Sequence, residues 1–173
     1  TVFLAEQNAY SALRIAHLLP VHDIRTTVRR VRADIARLEA RLPSLDARSV
    51  AITRTAIGRA WLSLGDHQQA LPHLQAAQTA GAESPQLSLA LGQALAAAYR
   101  DAREEALQLP AGEPRAARFL ELDRTLREPA LAHLRATAGV AGESPALVAA
   151  WVAFSSNQPQ QAIARAGEAV AAE

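Results

Sequence analysis

The sequence predicts an all-α protein, an α-solenoid in which about seven helices form a superhelix of antiparallel pairs. Three observations support this fold class. Of the 173 residues, 41 are Ala, the residue with the highest helix propensity. No stretch alternates apolar and polar residues for long enough to predict a strand. Helix-start signals also recur, each a capping or acidic residue followed by proline. They are Ser84-Pro85, Glu113-Pro114, Glu128-Pro129 and Ser144-Pro145.

The chain contains no Cys, no Lys and no Met, and its net charge is +1. The absence of Cys excludes a disulfide scaffold, a zinc finger, an iron–sulfur site and a thiol nucleophile. It does not indicate a compartment, because either redox environment tolerates a Cys-free chain. No run of about 18 apolar residues is free of charge, so we expect no membrane-spanning segment within this sequence.

Residues 1–44 are predicted to form an N-terminal helical pair that packs on the repeats. We expect its helices over residues 3–18 and 24–42, with Asp23 capping the second. Apolar residues recur in the second helix at alternating spacings of four and three, which places them on one face. This stripe is Ile24, Val28, Val31, Ile35, Leu38 and Leu42.

Internal repeats organise the rest of the chain, residues 45–173. Gly58 and Gly92 stand 34 residues apart, each preceded by a large aliphatic residue. Residues 70–87 align with residues 130–147, with nine of the 18 positions identical. The same unit, a second helix followed by a capped first helix, therefore occurs twice.

We predict three copies of the repeat. The second is irregular, because Tyr99 stands where a turn residue belongs. One helix is therefore expected to continue from Pro85 to about Leu109. The three copies are predicted over about 49–84, 85–127 and 128–173.

Residues 51–84 resemble a tetratricopeptide repeat. The matching positions are Ile57, Gly58, Trp61, Gly65, Ala70, Leu74 and Ala77. The resemblance places Gly58 and Ala70 where the two helices of a repeat cross, because a larger side chain would hold the helices apart. Trp61 and Leu74 would fill the gap to the neighbouring helices. Gly92 and Ala162 hold matching places in the second and third copies.

A second resemblance covers several short strings: LLPVHDIR at 18–25, ALGQALAAAY at 90–99 and REPALAHL at 127–134. Together they are similar to the helical-repeat region that follows the kinase domain in a group of bacterial serine/threonine protein kinases. This likeness implies a non-catalytic sensory or regulatory domain, periplasmic and joined to the membrane by a tether outside this sequence. The alternatives are a general protein–protein scaffold module and a cytoplasmic location.

No enzymatic activity is expected of this chain. It has no Lys, no glycine-rich phosphate loop and no H-R-D or D-F-G tripeptide, so the kinase catalytic machinery is missing. No hydrolase elbow, zinc-protease or calcium-loop motif occurs either.

The tetratricopeptide resemblance implies that the candidate binding residues lie on the first helices of the repeats, which in that architecture line a concave groove. We expect Arg59 to hold a carboxylate and Gln93 to pair with a peptide backbone. Trp151 and Phe154 are either groove residues or core of the last repeat. The full set is Thr55, Arg59, Leu62, Ser63, Leu89, Gln93, Ala96, Trp151 and Phe154.

No metal or cofactor is expected. His73 and His133 occupy equivalent repeat positions, which favours a structural role for both. His22 and Asp23 could supply two metal ligands, but a capping turn explains Asp23 without a metal. Residues 1–50 carry eight Arg against five acids, but a solvated helix face explains this charge better than nucleic acid. The expected partner is a protein, a peptide or a small extracellular ligand. The sequence is also compatible with a homodimer.

Overall fold

The computed structural model describes residues 25–137, 145–156 and 158–171. Every regular element in these ranges is helical and none is a strand, which confirms the all-α prediction. A 3-10 turn at Leu42–Ser44 follows the first helix, and a π-helical segment at Asp123–Arg127 joins the fifth helix to the sixth. The helices are α1 Arg25–Arg41, α2 Ala47–Ser63, α3 His67–Thr79, α4 Pro85–Leu107, α5 Glu113–Leu122, α6 Glu128–Ala136, α7 Pro145–Ser155 and α8 Pro159–Ala171.

The chain forms two compact units, Thr1–Glu83 and Ser84–Glu173. The first contains α1 to α3 and the second contains α4 to α8. The predicted helix over residues 3–18 and the predicted cap at Asp23 lie outside the described residues. The expected boundary at residue 44, between the N-terminal helical pair and the repeats, stays a prediction.

Side-chain caps begin α3 and α4, and the start of α4 at Ser84-Pro85 confirms the prediction. The Ser84 hydroxyl accepts a hydrogen bond from the Leu87 backbone N–H at 3.1 Å, and Pro85 occupies the first helical position of α4. At the α2–α3 turn, Gly65 adopts φ +76°, and the side chain of Asp66 accepts from the Gln69 backbone N–H at 3.0 Å. Both serine and aspartate satisfy an N–H that has no partner within the helix.

The first unit has the core that the α1 stripe predicts. Val31 and Ile35 are buried against Ile57 of α2. Half-buried apolar side chains surround them, namely Val28, Leu38, Leu42, Ala60, Trp61 and Leu64. Spacing on a single helix therefore identified the buried face correctly, because apolar residues four and three apart project from the same side of a helix.

A glycine marks the crossing of α2 and α3. A Cβ placed on Gly58 would lie 2.5 Å from Cγ of Leu74 and 3.2 Å from the backbone oxygen of Ala70. Leu74 and Ala70 are fully buried. The missing side chain of Gly58 therefore lets the two helices approach, as the repeat pattern predicts.

The second unit repeats this crossing with a later partner. A Cβ on Gly92 of α4 would lie 2.7 Å from Cγ of Leu134, which is on α6. In the predicted alignment Leu134 is the counterpart of Leu74. The chain between Gly92 and Leu134 is longer than that between Gly58 and Leu74, and the additional residues form the last part of α4, all of α5 and the π-helical segment. The long helix predicted from Pro85 to about Leu109 is confirmed, and it ends at Leu107.

Helices α7 and α8 form the last pair. Ala150, at the position of Gly58 and Gly92, is buried, as are Ala153 and Ala169. Ala162 is half-buried. Small side chains are thus buried on both helices of this pair, although Ala150 stands at the position of the repeated glycine.

Candidate functional site

Four of the predicted binding residues share one face of α2. Thr55, Arg59, Leu62 and Ser63 are all half-buried. The hydroxyls of Thr55 and Ser63 donate to backbone carbonyls one turn earlier in the same helix, at 3.0 and 2.7 Å. The Arg59 and Leu62 side chains are the other members of this half-buried face.

The predicted residues on α4 divide between core and surface. Leu89 is buried with Leu134 and Val148, and Ala96 is also buried. Gln93 is half-buried. Among the three, Gln93 presents a polar group at the surface of the second unit.

The aromatic pair on α7 also divides. Trp151 packs on the core formed by Leu89, Leu134 and Val148, whereas Phe154 keeps 42% of its surface exposed. Their rings meet edge to face, with centroids 6.0 Å apart and an interplanar angle of 88°. Trp151 thus matches the core alternative, and Phe154 is a surface aromatic held by the ring beneath it.

A cleft among α6, α7 and α8 was not predicted from the sequence. Its volume is about 330 Å³. Its apolar lining comes from α7, where Val148 and Ala153 are buried and Ala149 and Val152 are half-buried. Exposed polar side chains from the two neighbouring helices and the α7–α8 turn surround this floor. They are Arg135, Gln158, Gln161 and Arg165.

His73 bridges α3 and α1 in the first unit. Its Nε2 lies 3.3 Å from Oε1 of Glu39, and its Nδ1 is buried with no hydrogen-bond partner in the described part of the chain. Burial lowers the pKa of His73, Glu39 raises it, and the positive charge of Arg54 lowers it further. Because burial is the largest effect, the neutral imidazole is favoured.

His133, the repeat counterpart of His73, has the same character. Burial lowers its pKa as well. Within residues 25–137, 145–156 and 158–171, no three His, Cys, Asp or Glu side chains come together in a group that could hold a metal ion.

A second polar cluster ties α4 to the π segment. The Tyr99 hydroxyl donates to Oδ1 of Asp123 at 2.8 Å, and Nη2 of Arg127 lies 3.2 Å from Oδ2 of the same carboxylate. Burial raises the pKa of Tyr99, and so does the hydrogen bond to Asp123. Sequence reasoning missed this cluster because Tyr99 and Asp123 are far apart in the chain and share no motif.

None of the helices in the described ranges combines the length and apolar content that crossing a bilayer requires. The chain matches no family model, no curated protein and no solved structure.

Proposed function

We propose that this chain is a non-catalytic, tetratricopeptide-like interaction module that binds a protein or peptide through the first helices of its repeats. One observation carries the proposal. Each unit contains the same helix crossing, in which a glycine on the earlier helix admits a buried leucine from the later one, Gly58 with Leu74 and Gly92 with Leu134. A crossing built twice from matching residues is what stacked helical repeats use.

The first helices of each unit carry side chains that suit peptide recognition. In the first unit, Arg59 offers a guanidinium beside the aliphatic Leu62. In the second unit, Gln93 offers an amide, and Phe154 offers an exposed aromatic ring. A guanidinium binds carboxylates, an amide pairs with peptide groups, and an exposed aromatic ring supplies apolar contact area.

The module is proposed to be the regulatory or sensory part of a bacterial serine/threonine kinase, on the extracytoplasmic side of a membrane tether. This role rests on the short strings described above. Ligand binding would regulate such a receptor only if the ligand has different affinities for two of its states. The alternative is a general scaffold module, and the two differ in the coding sequence upstream of Thr1: a kinase domain plus an apolar span supports the first.

Selection from a random peptide display library, using the full 173-residue chain as bait, tests the binding function. We expect selected peptides whose affinity, measured by fluorescence anisotropy, falls at least about fivefold for Arg59→Ala or for Phe154→Ala, a loss of about 1 kcal/mol. Arg30→Ala is the matched control, since Arg30 is an exposed arginine on α1. A selection in which every peptide binds both test variants as tightly as the parent chain would contradict the proposal.

A further inference from the structure

The cleft among α6, α7 and α8 has the composition of a ligand site. Its floor is aliphatic, and its rim consists of two arginines and two glutamines, all four of them exposed. None of the lining residues within the described part of the chain is acidic. Ligand sites typically combine an apolar floor with a few polar groups that orient the ligand, and this cleft is at the small end of their range.

Both arginines of the rim can bind a carboxylate. Arg135 contacts no carboxylate among the described residues. Arg165 pairs with Glu168 at 2.8 Å, but both side chains are more than half exposed, at 55% and 54%. An exposed pair of this kind contributes little to stability, so a ligand carboxylate can replace Glu168 at modest cost. Two guanidiniums beside a cleft whose described lining residues include no acid give it a positive character that complements an anion.

The length and polar groups of the cleft favour a peptide. Its lining residues on α7 run from Pro145 to Ala153, which corresponds to about 12 Å along a helix axis and to about three or four residues of extended chain. Gln158 and Gln161 carry side-chain amides that both donate and accept, as a peptide group requires.

The topology separates the charged groups from the amides. Because α7 and α8 form a hairpin, Gln158 and Gln161 lie toward the end of α7, and Arg165 lies one turn further back toward its start. Arg135 follows Leu134, which packs on Val148 in the first half of α7. The two arginines are therefore placed toward one end of the cleft and the two glutamines toward the other.

We infer that this cleft binds a short acidic peptide, whose carboxylate is held by Arg135 and Arg165 and whose neighbouring aliphatic side chain rests on Ala149 and Val152. The carboxylate is that of a chain terminus or of an acidic side chain, since the chemistry is the same. This site is separate from the first-helix surface proposed above, because helical periodicity directs Phe154 to a different side of α7 from Val148 and Val152.

The test is an NMR titration of the isotope-labelled full chain with three tetrapeptides. The first is acetyl-Gly-Val-Leu-Glu with an amidated end, the second is acetyl-Gly-Val-Leu-Ala with a free carboxylate, and the third is acetyl-Gly-Val-Leu-Gln amide, which has no carboxylate. We expect at least one acidic peptide to shift the amide signals of Val148, Val152 and Gln161 and to bind about tenfold more tightly than the neutral peptide. The tighter of the two acidic peptides identifies the source of the carboxylate.

Three variants locate the site. Arg135→Ala and Arg165→Ala should each weaken binding of the acidic peptide about tenfold. Arg118→Ala is the matched control, since Arg118 forms an equivalent exposed pair with Glu121, also at 2.8 Å, outside the cleft. Phe154→Ala should leave this affinity unchanged, so failure here is distinguishable from failure of the first-helix proposal.

Several results would overturn the inference. They are equal affinity for the neutral and acidic peptides, unchanged affinity in both cleft arginine variants, an equal loss in Arg118→Ala, and no shift of the cleft amides by any peptide. Isovalerate that binds as tightly as the acidic peptides would show that the cleft takes a simple carboxylic acid instead.

Discussion

Substitution of Gly58 by alanine tests the helix crossing that underlies the repeat. The new methyl group would lie 2.5 Å from Cγ and 2.6 Å from Cδ2 of Leu74, well inside ordinary contact distance. Leu74 is fully buried, so its side chain has no solvent-facing space into which to move. The contact can be relieved only by an unfavourable rotamer or by separation of α2 and α3.

Two opposing terms set the size of the effect. Overpacking of a close-packed core costs about 1–3 kcal/mol, whereas replacing glycine with alanine inside a helix gains up to about 1 kcal/mol. We therefore expect Gly58→Ala to lower the free energy of unfolding by about 1–2 kcal/mol. For a chain of this size, the melting temperature should fall by about 2–8 °C.

Gly167→Ala is the matched control. Gly167 is also inside a helix, α8, but a Cβ there would meet nothing within 4 Å. Only the propensity term applies, so this variant should be more stable than the parent by up to about 1 kcal/mol. Urea unfolding followed by far-UV circular dichroism compares the two variants. A Gly58→Ala chain that gains as much stability as Gly167→Ala would refute the reasoning.

A double-mutant cycle identifies the contact itself. Leu74→Ala alone should cost about 2–5 kcal/mol because it leaves a cavity. In the double variant the methyl group added by Gly58→Ala has room, so the combined loss should be smaller than the sum of the single losses by about 1–3 kcal/mol. Strict additivity would mean that Gly58 does not owe its role to Leu74.

Two further predictions concern the polar clusters. Tyr99→Phe should lower the free energy of unfolding by about 1–2 kcal/mol in urea titrations, because Asp123 loses a hydrogen bond in a half-buried site; an equal loss in an Asp123→Ala background would contradict that contact. Burial lowers the pKa values of His73 and His133, so the native chain binds fewer protons than the unfolded chain just below the unfolded value of about 6.5. The free energy of unfolding should therefore fall as the pH drops through that value and level off below the folded pKa values. Urea titrations at about pH 7.5 and 5.5 measure this fall in the free energy of unfolding, which should be smaller for the His73→Gln, His133→Gln double variant. It should be larger for Glu39→Gln, because this change removes the charge that raises the pKa of His73. A fall of the parent's size in both variants would count against the linkage.

Much of the local structure followed from neighbouring residues. The α1 stripe predicted the buried Val31 and Ile35, and the Ser84-Pro85 pair predicted the start of α4. Capping depends on a hydrogen bond within one turn, and a buried stripe depends on the spacing of side chains along one helix. The resemblance of residues 51–84 to a tetratricopeptide repeat implied the crossing at Gly58, where a larger side chain would hold the helices apart.

Contacts between helices distant in sequence were decided by tertiary structure alone. Leu89 was expected at a binding surface but is buried against Leu134 and Val148. The arginines of the cleft, Arg135 and Arg165, lie on different helices and form no motif. Local sequence determines that helices form and which face is apolar. Only the packing of one helix on another determines whether a side chain on that face ends in a core or beside a cleft, since several helices together exclude water from it.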